Sequence, residues 1–211
     1  MNNDLPLRLT FVRHAVTDWN LEGRWQGWSD VPLGEAGRVQ AASLRNKLSG
    51  INYDFVFSSD LSRAIETATL AGFEPSLEPR LREIHFGNIE GKTNQEVQAH
   101  PGFQTWLADP MQTKIEGGES YFDLQTRAFD WLKSLPKSGE ILAFTHGGVI
   151  HTLVPKLLET TTFAGPRWWR FQVLHASITK LERWRMPNGQ FAWTLTGLND
   201  TTHLENVFAE K

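Results

Sequence analysis

Three short, almost continuous apolar runs constrain this chain more than any other feature: "RLTFV" (8–12), "DFVFSS" (54–59) and "EILAFTH" (140–146). Each has the length of a strand and is rich in β-branched and aromatic residues, as expected of strands buried on both faces. Helical patterns lie between them at 34–48, 60–72 and 118–135; the last places Tyr121, Leu124, Ala128, Trp131, Leu132 and Leu135 on one stripe. Strand alternating with helix predicts an α/β fold, a three-layer α/β/α sandwich around a mostly parallel sheet. The segments 170–184 and 189–199 alternate in polarity and are separated by the turn-forming "MPNG" (186–189), which predicts an antiparallel pair at one C-terminal edge. The stretch 84–117 mixes Gly, Pro and polar residues and leaves room for only one or two short helices, and 158–169 is also irregular. No repeat, low-complexity tract or linker interrupts the 211 residues, so the expectation is a single domain over 1–211.

Composition narrows the function classes. The 21 basic and 24 acidic residues give a net charge of -3, which provides no general attraction to nucleic acid or to an anionic membrane. An anionic ligand would have to be recognised locally. The absence of cysteine rules out disulfides, zinc thiolate sites and thiol nucleophiles, and fits a reducing compartment. The opening "MNNDLPLRLTFV" has neither a basic start nor a long apolar stretch, so a cytoplasmic protein is expected. There is no G-x-S-x-G elbow, H-E-x-x-H pair or P-loop.

Ligands of open α/β sheets bind beyond the carboxyl ends of the strands. The first run ends at Arg13 and His14. Alone, such a pair reads as an ordinary polar strand end facing solvent. It gains meaning from Arg63, in the helical pattern after the second run, and His146, at the end of the third. Two guanidiniums can hold a phosphoryl dianion through paired charge-assisted hydrogen bonds, and an imidazole beside it can donate or attack.

At this level the chain resembles the histidine phosphatase superfamily, also called phosphoglycerate mutase-like. The resemblance runs through "RHAVTDWN", "RWQGWSDVPLGEAG", "SSDLSRAIETA", "LREIHFGNIEG", "GGES" and "THGG", in that order. It implies that His14 is the nucleophile, forming a phosphohistidine, and that Arg13, Arg63 and His146 line the phosphoryl pocket. Glu83 would be the proton donor to the leaving oxygen. Asn20 and Thr17 would offer donors to the phosphoryl oxygens, Gln26 and Gly27 would belong to a loop closing over substrate, and the segment at about 84–117 would cover the active site. Asn, Thr and Gly also suit ordinary turns. No metal and no cofactor is implied, and the partner is a small phosphorylated molecule. His85, His100, His151, His175 and His203 receive no role, although His85 stands close enough to Glu83 in sequence to reach the pocket. Ala15 departs from the family's more frequent glycine; if that position needs a positive φ or a close approach to phosphate, its methyl group strains the loop.

Mutases and phosphatases share this pocket and differ in whether water or a second substrate hydroxyl takes the phosphoryl group. The short stretch between Glu83 and His146 contrasts with the insertion of the dedicated glycolytic mutases, and favours a water-accessible phosphatase acting on phosphomonoesters. "LREIHFGNIEGK" and "LNDTTHL" resemble the broad-specificity and α-ribazole phosphatase branch. A phosphoglycerate mutase is the alternative, and a non-catalytic phosphate-binding module the third reading. Trp25, Trp28, Trp106, Trp168 and Trp169 either roof the pocket over an apolar leaving group or pack the irregular segments on the core.

Overall fold

In the computed structural model, residues 5–160 and 171–205 are described. The three apolar runs form β1 (Leu7–Arg13), β2 (Phe55–Ser58) and β4 (Gly139–Thr145), joined by a two-residue β3 (Ser76–Leu77) and by β5 (Ile178–Arg185) and β6 (Phe191–Asp200). Their order across one six-stranded sheet is β3-β2-β4-β1-β5-β6. The first four are mutually parallel, while β5 runs antiparallel to β1 and β6 antiparallel to β5. The sheet is therefore mixed, with the antiparallel pair at the predicted edge.

Because side chains alternate along a strand, β1 and β4 feed two cores. Leu7, Leu9, Phe11, Ile141 and Ala143 pack with Leu124, Trp131, Ile150 and Leu153 on one side. Val12, Leu142 and Phe144 pack with Ala41, Leu44, Leu48 and Ala68 on the other. The first set comes from α6 (Tyr121–Lys133) and α7 (Gly147–Leu157), the second from α2 (Glu35–Leu48) and α3 (Ser62–Leu70). Helices thus cover both faces, and double-sided burial explains why the strand sequences hardly alternate.

The chain after β1 turns to one face through α1 (Asp18–Leu21) and α2, whereas the chain after β4 turns to the other through α7. Adjacent parallel strands whose connections diverge leave a crevice at their carboxyl ends, the usual ligand position in such sheets. Within 84–117 lie α4 (Asn94–Gln98) and α5 (Phe103–Ala108). The segment 171–177 departs from the strand expected from 170 onward: Ser177 N–H donates to the Leu174 carbonyl at 3.1 Å, closing a turn in which Ala176 has φ +54. Most of the irregular 158–169 stretch, with Trp168 and Trp169, lies outside the described residues. Among the described residues no helix is long and apolar enough to cross a membrane.

The seat of α2 depends on a missing side chain, since a Cβ on Gly37 would run into the Val16 carbonyl oxygen. Gly→Ala in a helix ordinarily gains about 1 kcal/mol. Here Gly37→Ala is expected to lose roughly 1–3 kcal/mol from overpacking against backbone. Gly50→Ala, with nothing within 4 Å of its Cβ, should stay near neutral. Urea denaturation midpoints of the two variants compare them directly; a stable Gly37→Ala protein would contradict this packing.

Candidate active site

The register of β1 on β4 sets Arg13 opposite Thr145, so the residues that follow, His14 and His146, emerge together with ring centroids 5.1 Å apart. His14 N–H donates to the Thr145 carbonyl at 2.8 Å, locking this arrangement. The His14 side chain is 3% exposed, and its Nδ1 lies 2.7 Å from the Ala15 carbonyl oxygen. A carbonyl can only accept, so Nδ1 carries the proton and Nε2 presents its lone pair. That tautomer is the one a nucleophilic imidazole requires.

Arg13, Arg63, His146 and His175 lie around the His14 imidazole, close enough for their charges to hold its pKa down. Arg63, in the first turn of α3 and 1% exposed, donates from Nη1 to Ser29 O at 3.0 Å and from Nη2 to Gly27 O at 2.6 Å. Arg13 donates from Nη1 to Val173 O at 2.6 Å and from Nη2 to His175 Nε2 at 2.8 Å. His146, fully buried at the N-cap of α7, places Nε2 2.8 Å from Ser59 Oγ. Ser59 Oγ already accepts from Leu61 N–H at 3.3 Å, so it can give its own hydrogen to Nε2 and leave the proton on Nδ1. Arg13 Nε, Arg63 Nε and His146 Nδ1 are buried without a partner among the described residues. A buried donor without a partner costs about 1–3 kcal/mol, so three around one imidazole suit a site shaped for an oxyanion.

Glu83 enters from a loop rather than a strand end. Its Oε1 accepts from Ile84 N–H at 2.9 Å and its Oε2 from Gly148 N–H at 3.1 Å, in the first turn of α7. A Cβ at Gly148 would collide with Glu83 Oε1, so glycine is needed for the carboxyl group to sit there. From behind, Arg127 of α6 donates to the carbonyls of Arg80, Arg82 and Glu83 and pairs with Glu119 at 2.9 Å. Trp28 Nε1–H donates to the same Glu83 carbonyl at 2.7 Å, with Arg82 4.7 Å above its ring.

Arg13, His14, Asn20, Gln26, Gly27, Arg63 and Glu83 line a single cleft of about 340 Å³. Gly27 has φ +55 and leaves no room for a Cβ beside Glu90, which itself accepts from Trp28 N–H and Phe86 N–H at 2.9 Å. His146, fully buried against His14, and Thr17 are not among the lining residues; Thr17 forms a capping box with Asn20, whose Oδ1 accepts from Thr17 N–H and Oγ1–H, both at 3.0 Å. Its hydroxyl donates to Asn20 Oδ1 and accepts from Asn20 N–H at 3.2 Å. Ala15 adopts no positive φ, and it is buried with Val12, Leu33 and Ala41, so the backbone strain considered for it is absent. His85 does not line the cleft either; its ring lies against Trp28, with Nε2 3.7 Å from Glu90.

Among the tryptophans, Trp25 lines the cleft, edge-on to Phe86, Phe103 and Trp106, whereas Trp106 is core and Trp28 braces Glu83. Residues to which the sequence assigned no role also reach the site: Arg24, Phe86, Asn94 and His151 line the cleft, and His175 binds Arg13. His151 lies four residues beyond Gly147 on α7 and could have been found had that helix been recognised. A cavity of about 420 Å³ between Lys137 and Phe191, at the opposite end of the sheet, contains neither imidazole nor carboxylate. Among the described residues no group of three His, Asp or Glu could hold a metal ion.

Burial is the first cause that lowers the pKa of His14 and His146, and the Arg63 charge the second; both stay well below the ordinary histidine value. His151 falls to about 4 and His175 to about 2, again by burial and then Arg13. Arg63 is pulled down to about 10 by burial and remains charged at neutral pH. Below about pH 6.5 the unfolded chain binds protons at these imidazoles that the folded chain does not, so stability rises with pH. Urea midpoints should therefore fall as pH drops from 7 toward 5, each imidazole contributing up to about 1.4 kcal/mol per pH unit. A flat profile there would show that the imidazoles protonate within the fold.

The chain is similar to known proteins along most of its length. The histidine phosphatase superfamily (branch 1) matches residues 9–201. A probable phosphoglycerate mutase from Serratia proteamaculans is 31% identical, the alignment spanning 94% of this chain and 95% of that protein. Phosphoserine phosphatase 1 of Hydrogenobacter thermophilus is 29% identical over 97% of both. Among solved structures, a mycobacterial glucosyl-3-phosphoglycerate phosphatase in complex with VO3 superposes with a TM-score of 0.75 at 30% identity, covering 92% of this chain and 98% of its own. With its family match running from the first strand to the end of the last, this chain belongs to the histidine phosphatase superfamily.

Proposed function

We propose that the protein is a phosphatase that hydrolyses phosphomonoesters through a phosphohistidine at His14, without a metal. The observation that carries this reading is the His14 tautomer, with Nδ1–H on the Ala15 carbonyl, beside Arg13 Nε, Arg63 Nε and His146 Nδ1, which are buried without a partner among the described residues. In the first step Nε2 forms a bond to phosphorus as the ester oxygen leaves, and Glu83 gives that oxygen its proton. In the second, water attacks the phosphorus, its proton passes to Glu83, the N–P bond breaks and His14 returns neutral. The two guanidiniums and the His146 Nδ1–H balance the charge on the phosphoryl oxygens through both steps, which is the main task in this chemistry.

Water as the acceptor is supported by the make-up of the cleft: between Glu83 and His146 only Phe86 and Asn94 contribute to its walls. The second reading, a mutase, draws support from the relative named a probable phosphoglycerate mutase. The class of leaving group follows from Trp25 and Phe86 on one wall, which offer apolar surface, and Arg24 and Asn94, which offer polar contacts.

Acid-quenched labelling with a phosphomonoester should trap phosphate on the wild type and not on His14→Ala, and hydrolysis should survive chelation of divalent ions. Phosphate exchange between phosphoglycerates that outpaces release of inorganic phosphate would instead favour the mutase. Glu83→Gln is expected to slow alkyl phosphates by about 10²–10⁴-fold and p-nitrophenyl phosphate far less, since its leaving group needs little protonation. Equal losses on both substrates would take Glu83 out of proton transfer.

A further inference from the structure

His175 contacts the proposed machinery although it belongs to no motif of the sequence. It sits in the turn Leu174–Ser177, and that turn is sewn to the end of β1. Ala176 N–H donates to the His14 carbonyl at 3.2 Å, and Arg13 N–H donates to the Ser177 carbonyl at 3.1 Å. The imidazole therefore has little freedom relative to the nucleophile, whose ring centroid is 5.5 Å away. Arg13 Nη2 lies 2.8 Å from His175 Nε2. A guanidinium can only donate, so Nε2 accepts and the proton of His175 resides on Nδ1.

Several arginines that brace this fold are paired with carboxylates, Arg80 with Glu78, Arg82 with Asp60 and Arg127 with Glu119, although Arg183 rests on the carbonyls of Pro136 and Lys137. The two in the phosphoryl pocket are not paired with carboxylates. Arg63 rests on the carbonyls of Ser29 and Gly27, and Arg13 on the carbonyl of Val173 and on His175. A carboxylate at His175 would hold Arg13 as firmly but would compete with a phosphoryl dianion for its charge. Burial, with Arg13 beside it, keeps His175 uncharged throughout the neutral range.

We propose that His175 is a positioning residue: its neutral Nε2 fixes the Arg13 guanidinium for the phosphoryl group while leaving the positive charge available to substrate. The proposal rests on Arg13 being a phosphoryl clamp, as argued above. It assigns His175 no proton transfer and no direct contact with substrate.

The test is a charge and acceptor series read by calorimetric binding of inorganic phosphate and by kcat and KM for a phosphomonoester. His175→Asn keeps a neutral acceptor and should bind phosphate within a few-fold of wild type. His175→Leu removes the acceptor and should weaken phosphate binding and lower kcat/KM by about tenfold or more. His175→Asp, nearly the same shape as the Asn variant, should bind phosphate more weakly than either. Phosphate affinity in the Asp variant equal to that of the Asn variant would overturn the proposal, as would wild-type affinity in the Leu variant. Should the Leu variant fail to fold, His175→Ala, which also removes the acceptor without adding charge, takes its place, and phosphate affinity there equal to that of the Asn variant would overturn the proposal. Labelling at His14 distinguishes the two ideas. A flat His175 series with phosphate trapped on His14 sinks the positioning role alone, and an ordered series with no phosphate on His14 sinks the covalent chemistry alone.

Discussion

The parallel pairing of β1 with β4 is the constraint on which the rest of the site depends. Its register puts Arg13 level with Thr145, and the bond from His14 N–H to the Thr145 carbonyl continues the ladder one residue beyond the strand. Two imidazoles distant in sequence are thereby held side by side at the carboxyl edge, where the connections to α2 and α7 part to opposite faces. A slip of one residue would turn His14 or His146 away and expose half of each core, because the side-chain period of a strand is two. The burial that fixes the register is thus the same burial that positions the chemistry.

Around that edge the protein accumulates positive charge and keeps its imidazoles neutral. Desolvation alone would discourage both guanidiniums, and their mutual repulsion adds to the cost; Glu83 partly offsets it at each of them. The braces chosen for Arg13 and Arg63 are carbonyls and an imidazole, none of which cancels charge. Such an arrangement is unfavourable by itself and would be relieved by an oxyanion. Stability and function pull in opposite directions at these residues, as expected where a fold stores unsatisfied groups.

Glu83 shows how the position of a proposed catalytic group can be built without a strand. Its loop is clamped by Arg127 on three carbonyls and by Trp28 on a fourth bond, while Gly148 clears the space its carboxyl group occupies. The "GGES" motif acts here too: Glu119 pairs with Arg127 and accepts from His85 N–H at 3.0 Å, and Ser120 caps α6. The motif thus supports the Glu83 loop from a distance.

Local patterning carried the legible part. Continuous apolar runs announced strands buried on both faces, and polar residues at their ends marked Arg13, His14 and His146 before any geometry was known. The helix α7 escaped because it is apolar on nearly all sides and contains Pro155, so no stripe of period 3.6 stands out. The strand expected from 170 begins only at Ile178, because the preceding residues are recruited as a turn against β1. The sequence by itself determined the layered α/β fold, its antiparallel edge and the residue types at the strand ends, since these follow from periodicity and chain order. Only the tertiary structure decided that Thr17 serves Asn20, that Ala15 packs harmlessly in the core, that Arg127 supports Glu83 and that His175 grips Arg13. Those outcomes rest on contacts between segments far apart in the chain, and such contacts leave no periodic trace in either partner.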